Sequence, residues 1–173
     1  MVLELEQIST ERLPALKNLF ELVAYDLSEF GGTDVNENGL YVTNLNLKDW
    51  HEDPNYRLYF ITVSGNLAGF VIIKYLVEKD TYYLNHFFVL RKYRKQNIGK
   101  QAAIKAFDLF AGNWRVSEFD WNMPAQLFWR KVISSYTDEN FTERRRADDK
   151  GPMQEFTTCT YDENSSSKKP VVY

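Results

Sequence analysis

The chain has 173 residues, of which 44% are hydrophobic and 26% are charged, and this size and composition suit one globular domain. Its net charge of −3 excludes a general nucleic-acid binder, because neutralising phosphates requires a basic face. The single Cys159 excludes an internal disulfide, and two histidines exclude a metal cluster of the usual spacing. With no signal-peptide pattern and no apolar run of roughly 18 residues, we expect a cytoplasmic protein with no membrane partner.

The first predicted element is a helix. Apolar residues recur at helical spacing within residues 12–25, and a weaker helical stretch follows over residues 25–30. Gly31-Gly32 is expected to end it. Residues 33–56 are loop-rich, and long structured loops in compact domains are often functional.

The next segments predict β-structure. Residues 58–63 and 67–77 form two strands that a short turn joins into a hairpin. Gly69 lies inside the second strand, which indicates a bulge or a close backbone approach. Residues 82–90 are nearly continuously apolar or aromatic, as in a central strand covered on both faces.

The second half of the chain alternates between helices and strands. A helix is predicted over residues 98–111, and a strand over residues 115–121. Asn122 then opens a second helix. Short strands are expected at residues 141–145 and 153–160.

This order predicts an α/β (α+β) fold, in which helices pack on a sheet. We expect a single domain over residues 1–161. Residues 162–173 are rich in serine and lysine, which predicts a disordered tail.

A basic loop joins the predicted central strand to the helix that begins near Ile98. Its basic residues are Arg91, Lys92, Arg94, Lys95 and Lys100. A helix N-terminus presents unpaired N–H groups and a partial positive charge, and Gly99 lets a ligand approach the backbone. The loop therefore predicts a phosphate or pyrophosphate site. Charge and glycine alone are explained equally well by a solvated basic surface.

Residues 89–100, VLRKYRKQNIGK, resemble motif A of the GNAT family of N-acetyltransferases. That motif has Arg or Gln, two residues, Gly, one residue, then Gly or Ala. Arg94 and Gly99 match its first and last positions, whereas Asn97 replaces the first Gly. Asn is among the few residues that tolerate a left-handed conformation, so it is a reasonable replacement.

Residues 122–131, NMPAQLFWRK, resemble motif B of the same family, and the order of elements over residues 58–160 is the family's order. The resemblance implies a GNAT-like mixed, mostly antiparallel central sheet flanked by helices. In that fold a splayed strand pair forms the cofactor cleft. Residues 25–30 and the Asn-rich loop after them resemble a bacterial subgroup of unassigned substrate.

The resemblance also implies acetyl-CoA (coenzyme A) as co-substrate, with no metal, and assigns the residues that bind it. The pantetheine arm pairs with strand backbone, loop amides hold the pyrophosphate, Arg94 braces or contacts it, and side chains of the motif B helix line the arm or the adenosine end. The expected cofactor-binding residues are Phe88, Val89, Leu90, Arg94, Lys95, Gln96, Asn97, Ile98, Gly99, Lys100, Asn122, Phe128 and Lys131.

The implied reaction is direct attack of a primary amine, on a small molecule or a peptide, on the thioester. An alkyl ammonium has a pKa of about 10.4, so a base or a water chain must take its proton. Backbone N–H groups of the splayed strand can stabilise the oxyanion. The thiolate is a fair leaving group, since a thiol has a pKa of about 8.5.

His86 is the first catalytic candidate, because its side chain can reach the acceptor end of the cleft. The alternative is a core histidine, which is the commoner role in an apolar strand. Asp26 and Glu29 lie in the region that shapes the acceptor pocket in the family. They can bind or deprotonate an amine, or they can belong to a solvated helix face.

Trp129 stands where many members of the family have the tyrosine that protonates the thiolate. Trp cannot transfer a proton at neutral pH. Tyr136 or Tyr41 is then the candidate acid, unless none is needed.

Two further functions remain open. An acyl-CoA-binding module with little or no turnover is favoured by Asn97 and by the missing tyrosine. A protein-interaction domain built on residues 33–56 would bind no coenzyme A. The expected partners are an amine acceptor and, as is common in the family, a second copy in a homodimer.

Overall fold

The computed structural model describes residues 2–41 and 45–159, so the predicted tail at 162–173 lies outside the described residues. The helices are α1 (Leu13–Gly31), α2 (Leu47–Glu52), α3 (Ile98–Asp108) and α4 (Met123–Thr137). The strands are β1 (Leu3–Gln7), β2 (Tyr56–Val63), β3 (Asn66–Leu76), β4 (Thr81–Val89), β5 (Gly112–Ser117), β6 (Thr142–Arg145) and β7 (Pro152–Thr158). Within the described ranges no helix is long and apolar enough to cross a membrane.

The seven strands form one sheet in the order β1-β2-β3-β4-β5-β7-β6. Every neighbouring pair is antiparallel except β4 and β5, which run parallel. The predicted mixed, mostly antiparallel sheet is therefore confirmed. A parallel pair requires a crossover connection, and here the 91–100 loop and α3 supply it.

Two hydrophobic cores cover the two faces of the sheet. The core beneath α3 and α4 includes Phe107, Trp114 and Ile133, all fully buried. The core beneath α1 and α2 includes Leu16 and Phe70, also fully buried. Because β4 contributes side chains to both cores, its sequence is apolar at nearly every position.

The two predicted helical stretches near the N-terminus form the single helix α1. Gly32 ends it in the left-handed conformation, with φ 63°, as a helix C-cap requires. Sequence patterns missed β1 and α2, which have only five and six residues. Strand β1 alternates leucine and glutamate, and it pairs along its whole length with β2.

Gly69 allows β3 and β4 to approach closely. A Cβ atom at this position would lie 2.0 Å from the carbonyl oxygen of Phe88, so only glycine fits. The register between β2 and β3 also shifts next to Gly69, between Ile61 and Thr62. Both the close approach and the irregularity predicted for this glycine are present.

Strands β4 and β5 pair over only three residues, Thr81–Tyr83 with Asn113–Arg115. Just beyond this point β4 contains a bulge, because Ile73 pairs with Leu84 and Ile72 with His86. From residue 84 onward, β4 has lost its strand neighbour on the β5 side. The gap that opens between the two strands, here called the strand split, confirms the predicted splayed pair.

Candidate active site

A cleft of about 820 Å³ follows the strand split. Its walls are the second half of β4, the end of β5 with residues 118–119, the helix α4, the loop before α3, and the C-terminal half of α1. Ligand pockets commonly measure roughly 300–1,000 Å³, so the cleft can hold a cofactor-sized molecule. A helix N-terminus stands at its wide end and the β4 bulge at its narrow end.

The loop at the wide end has the backbone geometry of an anion site. Lys95 and Asn97 adopt left-handed conformations, with φ 60° and 64°, which bears out the reason given for Asn replacing Gly. The side chain of Asn97 makes no cap bond to α3, so it leaves the first amides of the helix to other partners. Lys95, Asn97, Gly99 and Lys100 line the cleft.

Two of the expected loop residues turn their side chains elsewhere. Gln96 donates from Nε2 to the carbonyl of Lys92 at 2.6 Å, and Ile98 is 2% exposed in the core beneath α3 and α4. Only their backbone groups remain for a ligand. Lys100 lines the cleft and donates to Ser135 Oγ at 2.9 Å, which ties α3 to α4.

Arg94 braces the end of β4. Its Nε donates to the carbonyl oxygen of Val89 at 2.7 Å, and its Nη2 donates to Asp26 of α1. Arg91 donates from Nε to the other oxygen of Asp26 at 2.8 Å. Asp26 is therefore occupied by two guanidinium groups, which makes it a poor candidate to deprotonate an amine.

The backbone of β4 offers fewer groups to the cleft than expected. The N–H of Leu90 donates to the carbonyl of Ala68 in β3 at 2.8 Å. Because alternate residues of a strand direct their backbone groups to opposite sides, Phe88 also faces β3, whereas Phe87 and Val89 face the strand split. Since Arg94 occupies the Val89 carbonyl, the Val89 N–H and the Phe87 groups remain for a ligand.

Aromatic rings form one wall of the cleft. Phe128 stacks on Phe87 with ring centroids 6.0 Å apart. A Cβ atom at Gly99 would lie 3.2 Å from the Phe128 ring and 3.9 Å from Val89, so this glycine lets α3 pack tightly against the wall. Lys131 lines the cleft farther along α4.

Asn122 begins α4 and lines the cleft. Its Oδ1 accepts the N–H of Ala125 at 3.2 Å, an N-cap interaction. The capping role uses the oxygen and leaves the side-chain NH₂ group as a donor. Trp129, 6% exposed, lies deeper on the same helix and lines the cleft.

His86 lies on the face of β4 that packs against α1 and α2. Its ring meets Phe20 edge-on at 5.0 Å and stacks on Trp50 at 5.4 Å. Burial lowers the pKa of His86 to about 4, so the imidazole is neutral at physiological pH. A group with so low a pKa is a weak acceptor for the proton of an alkyl ammonium.

The structure brings Glu29 to the cleft but places the two candidate tyrosines elsewhere. Glu29 lies at the C-terminal end of α1 and lines the cleft there. Tyr136 packs on Phe107 at 5.3 Å, donates its hydroxyl proton to Asp108 at 2.6 Å, and does not line the cleft. Tyr41 packs against α1, also outside the cleft. Because neither tyrosine lines the cleft, neither is placed to protonate a thiolate there, and both are withdrawn as candidate acids.

Glu118 lines the cleft and was missed by sequence patterns. Its side chain is 4% exposed, and burial raises the pKa of its carboxyl group to about 7. The alternation from Trp114 and Val116 was the available signal, because it directs Glu118 to the same buried face. A carboxyl group at a core position is costly unless it is partnered, and it often marks a functional site.

The buried Glu118 predicts a measurable effect of pH on stability. An unfolded glutamate ionises near its ordinary pKa of 4.5, whereas native Glu118 keeps its proton until about pH 7. Between these values the native state holds a proton that the unfolded state has lost, so the free energy of unfolding falls as pH rises. Glu118→Gln should therefore be more stable than the wild type at about pH 8, by up to about 3 kcal/mol. Urea unfolding at about pH 5 and about pH 8 measures this difference, and equal differences at both pH values would contradict it.

The fold and the cleft are those expected of an acetyltransferase, with a helix N-terminus at one end of a split sheet. The sequence model of the acetyltransferase (GNAT) family matches residues 20–133, or 114 of the 173 residues. The chain belongs to this family, as the two motifs predicted. A search of the curated proteins finds no significant match.

Several solved acetyltransferases share the fold. One from Thermus thermophilus is 13% identical, with a TM-score of 0.67 over 91% of this chain and 97% of that one. PaiA N-acetyltransferase from Thermoplasma acidophilum, in complex with coenzyme A, is 14% identical, with a TM-score of 0.61 over 91% and 99%. RimL, a ribosomal L7/L12 alpha-N-protein acetyltransferase in complex with coenzyme A, is 15% identical, with a TM-score of 0.61 over 91% and 94%. At these identities the likeness establishes the fold alone.

Proposed function

We propose that the chain binds acetyl-coenzyme A in the strand split and transfers the acetyl group to a primary amine of a small molecule or a peptide. The observation that carries the proposal is the loss of β4–β5 pairing after Tyr83 and Arg115, which opens a cleft that the N-terminus of α3 also lines. Two structural neighbours of the same fold are in complex with coenzyme A, which supports this ligand.

The cofactor would lie along β4 from the wide end to the narrow end. Its pyrophosphate would accept hydrogen bonds from the amides of residues 95–100, where the helix dipole favours an anion. Its pantetheine arm would pair with Val89 and Phe87, replacing the missing strand neighbour. The acetyl group would then reach the bulge at residue 85. A strand N–H there would stabilise the oxyanion.

The acceptor would enter from the α1 side. There Glu29 and Phe30 line the cleft, as do Phe119 and Trp121, whose rings stack at 5.1 Å. A carboxylate among aromatic faces attracts an ammonium ion, so this mouth suits a cationic amine. His86 would orient the amine as a neutral hydrogen-bonding group, and water would take the amine's proton.

Arg94 provides a specific test of the cofactor half. Its fork holds the Val89 carbonyl and Asp26 together, and lysine cannot make both bonds. Arg94→Lys should weaken acetyl-CoA binding about 10- to 100-fold, the equivalent of one charged hydrogen bond. Arg12→Lys is the matched control, because Arg12 pairs with Glu6 at 3.7 Å and does not line the cleft. Calorimetric titration of both variants measures the difference, and equal affinities would contradict the bracing role.

Thiol release tests the complete reaction. The protein would be incubated with acetyl-CoA and a panel of primary amines that includes diamines, amino sugars and peptides with free N-termini. Release of free coenzyme A thiol that depends on both the protein and the amine supports acetyl transfer. Tight binding of acetyl-CoA by calorimetry, without thiol release across the panel, would favour the acyl-CoA-binding module. The presence of Trp129 in place of the family's tyrosine is the feature that supports this alternative. Absence of binding would overturn both functions.

A further inference from the structure

Glu118 is a carboxylic acid buried in the wall of the cleft. It follows directly after β5, and its backbone is fixed, since its N–H donates to the Pro152 carbonyl at 3.2 Å. Gly151, which precedes Pro152, packs so closely that a Cβ atom there would lie 2.1 Å from the Glu118 carbonyl oxygen. The backbone of Glu118 is thus held in place, and the residue is buried.

One oxygen of this carboxyl group has no protein partner. Glu118 Oε2 accepts a hydrogen bond from Gln154 Nε2 at 3.3 Å, whereas Oε1 of Glu118 and Oε1 of Gln154 are both buried with no hydrogen-bond partner among the described residues. Buried polar atoms are nearly always paired, so the orphaned carboxyl oxygen of Glu118 is completed by a proton or by a ligand group. The chemical role of Glu118 follows from where it lies.

Glu118 lies at the narrow end of the strand split, on the α4 side. Tyr83 and Arg115 are the last paired residues of the two strands, and the β4 bulge lies between Tyr83 and His86. Glu118 and His86 both line the cleft just beyond that last pair. His86 contacts the α1 and α2 layer. Gln154 connects Glu118 to Glu143 of β6, which in turn accepts hydrogen bonds from Arg130 of α4.

The reaction needs a proton donor on that side. When the amine attacks, the sulfur leaves as a thiolate, and Trp129 of α4 cannot supply a proton. Tyr136 and Tyr41 lie outside the cleft. Among the described residues that line the α4 side of the narrow end, Glu118 is the carboxylic acid.

We propose that Glu118 donates the proton that converts the departing coenzyme A thiolate into the thiol. The proposal rests on the function proposed above. The C–N bond forms as the C–S bond breaks, and the C–S electron pair goes to sulfur. The Glu118 proton moves to that sulfur, the amine releases its surplus proton to water, and water returns a proton to Glu118.

The charges around Glu118 suit this role. Burial is the largest cause of its raised pKa, the hydrogen bond from Gln154 opposes it, and Glu143 raises the pKa further. Arg130 of α4 lowers it, but both of its 2.8 Å hydrogen bonds go to Glu143. The acid is thus substantially protonated at neutral pH, and transfer to a thiolate, whose conjugate acid has a pKa of about 8.5, is downhill.

The test titrates the thiol of bound coenzyme A and needs no acceptor. Coenzyme A is first bound to the wild type and to Glu118→Gln, and binding is verified by calorimetry. The ultraviolet absorbance of the thiolate is then followed against pH. If Glu118 lies beside the sulfur, its negative charge raises the pKa of the bound thiol, because two negative charges repel each other. Glu118→Gln removes that charge and should therefore lower the pKa of the thiol by about one unit or more. Glu155→Gln, which changes a carboxylate outside the cleft, should leave the wild-type titration unchanged.

The outcomes separate the two proposals. If coenzyme A binds neither protein, the proposed function fails and the Glu118 role fails with it. If both bind coenzyme A but their bound thiols titrate alike, only the Glu118 role is overturned. With any amine that the wild type acetylates, Glu118→Gln should lower kcat about 100-fold with little change in the KM for acetyl-CoA. A selenium analogue of acetyl-CoA, whose selenolate leaves without protonation, should restore most of that loss, and an equal loss with both donors would overturn the role.

Discussion

Replacing Gly99 with leucine is expected to weaken acetyl-CoA binding by at least about 100-fold while the protein remains folded. The new Cβ atom would lie 3.2 Å from the Phe128 ring, and the rest of the side chain would push that ring into the cleft. The amides at the start of α3 would also lose access to the pyrophosphate. Two hydrogen bonds to a charged group are worth about 3 kcal/mol or more, which corresponds to the expected loss.

The fold should survive Gly99→Leu because the first contact is a ring that can shift rather than backbone. Gly31→Leu is the matched control, since a Cβ at Gly31 meets nothing closer than 3.8 Å. Calorimetry measures the affinity and circular dichroism verifies the fold. An affinity for acetyl-CoA equal to that of Gly31→Leu would contradict the pyrophosphate site.

Gly69→Val should lower the free energy of unfolding by about 4 kcal/mol or prevent folding altogether. The Cβ atom would be 2.0 Å from the carbonyl oxygen of Phe88, which is backbone and cannot move without moving β4. Strand β4 packs against both cores, so its displacement would disturb both at once. Losses above about 4 kcal/mol are exceptional for single substitutions and arise from such steric conflicts.

Urea unfolding measures this effect. Gly31→Ala is the control, and it should stabilise the protein by up to about 1 kcal/mol because it replaces a helical glycine that has open space around it. A Gly69→Val protein within about 1 kcal/mol of the wild type would show that β3 and β4 are not locked at this position.

The centre of the fold was predictable because its signals are local. The apolar run of β4, the basic loop and the start of α3 near Ile98 lie within twenty residues, so the pattern of the chain determines their order. Gly69 was likewise predictable, because a glycine inside a strand commonly marks a bulge or a close backbone approach. Several residues that line the cleft near this loop could therefore be named from the sequence.

Features that depend on long-range contacts could not be predicted in the same way. The pairing of Asp26 with Arg91 and Arg94 spans more than 60 residues, so the sequence could not show that this carboxylate was already occupied. The position of Tyr136 depends on which face of α4 packs against α3. The helix predicted over residues 98–111 ends at Asp108, and the strand predicted over residues 115–121 is Gly112–Ser117.

The role of Glu118 depends on three separate parts of the chain. Its neighbours Gln154 and Pro152 belong to β7, which the sequence gives no reason to place beside β5. Its position at the narrow end of the strand split depends on where the parallel pairing of β4 and β5 stops. Only the folded sheet brings these residues together. The chemical significance of Glu118 therefore follows from its burial in the folded protein and not from a sequence motif.

An NMR titration of isotopically labelled protein with acetyl-CoA tests binding in the strand split most directly. Binding there predicts large shifts of the backbone amides of Phe87, Val89 and residues 95–100, with small shifts at the far edges of the sheet in β1 and β6. Shifts concentrated at β6 or on the outer face of α1, with the amides of residues 87–100 unchanged, would contradict it.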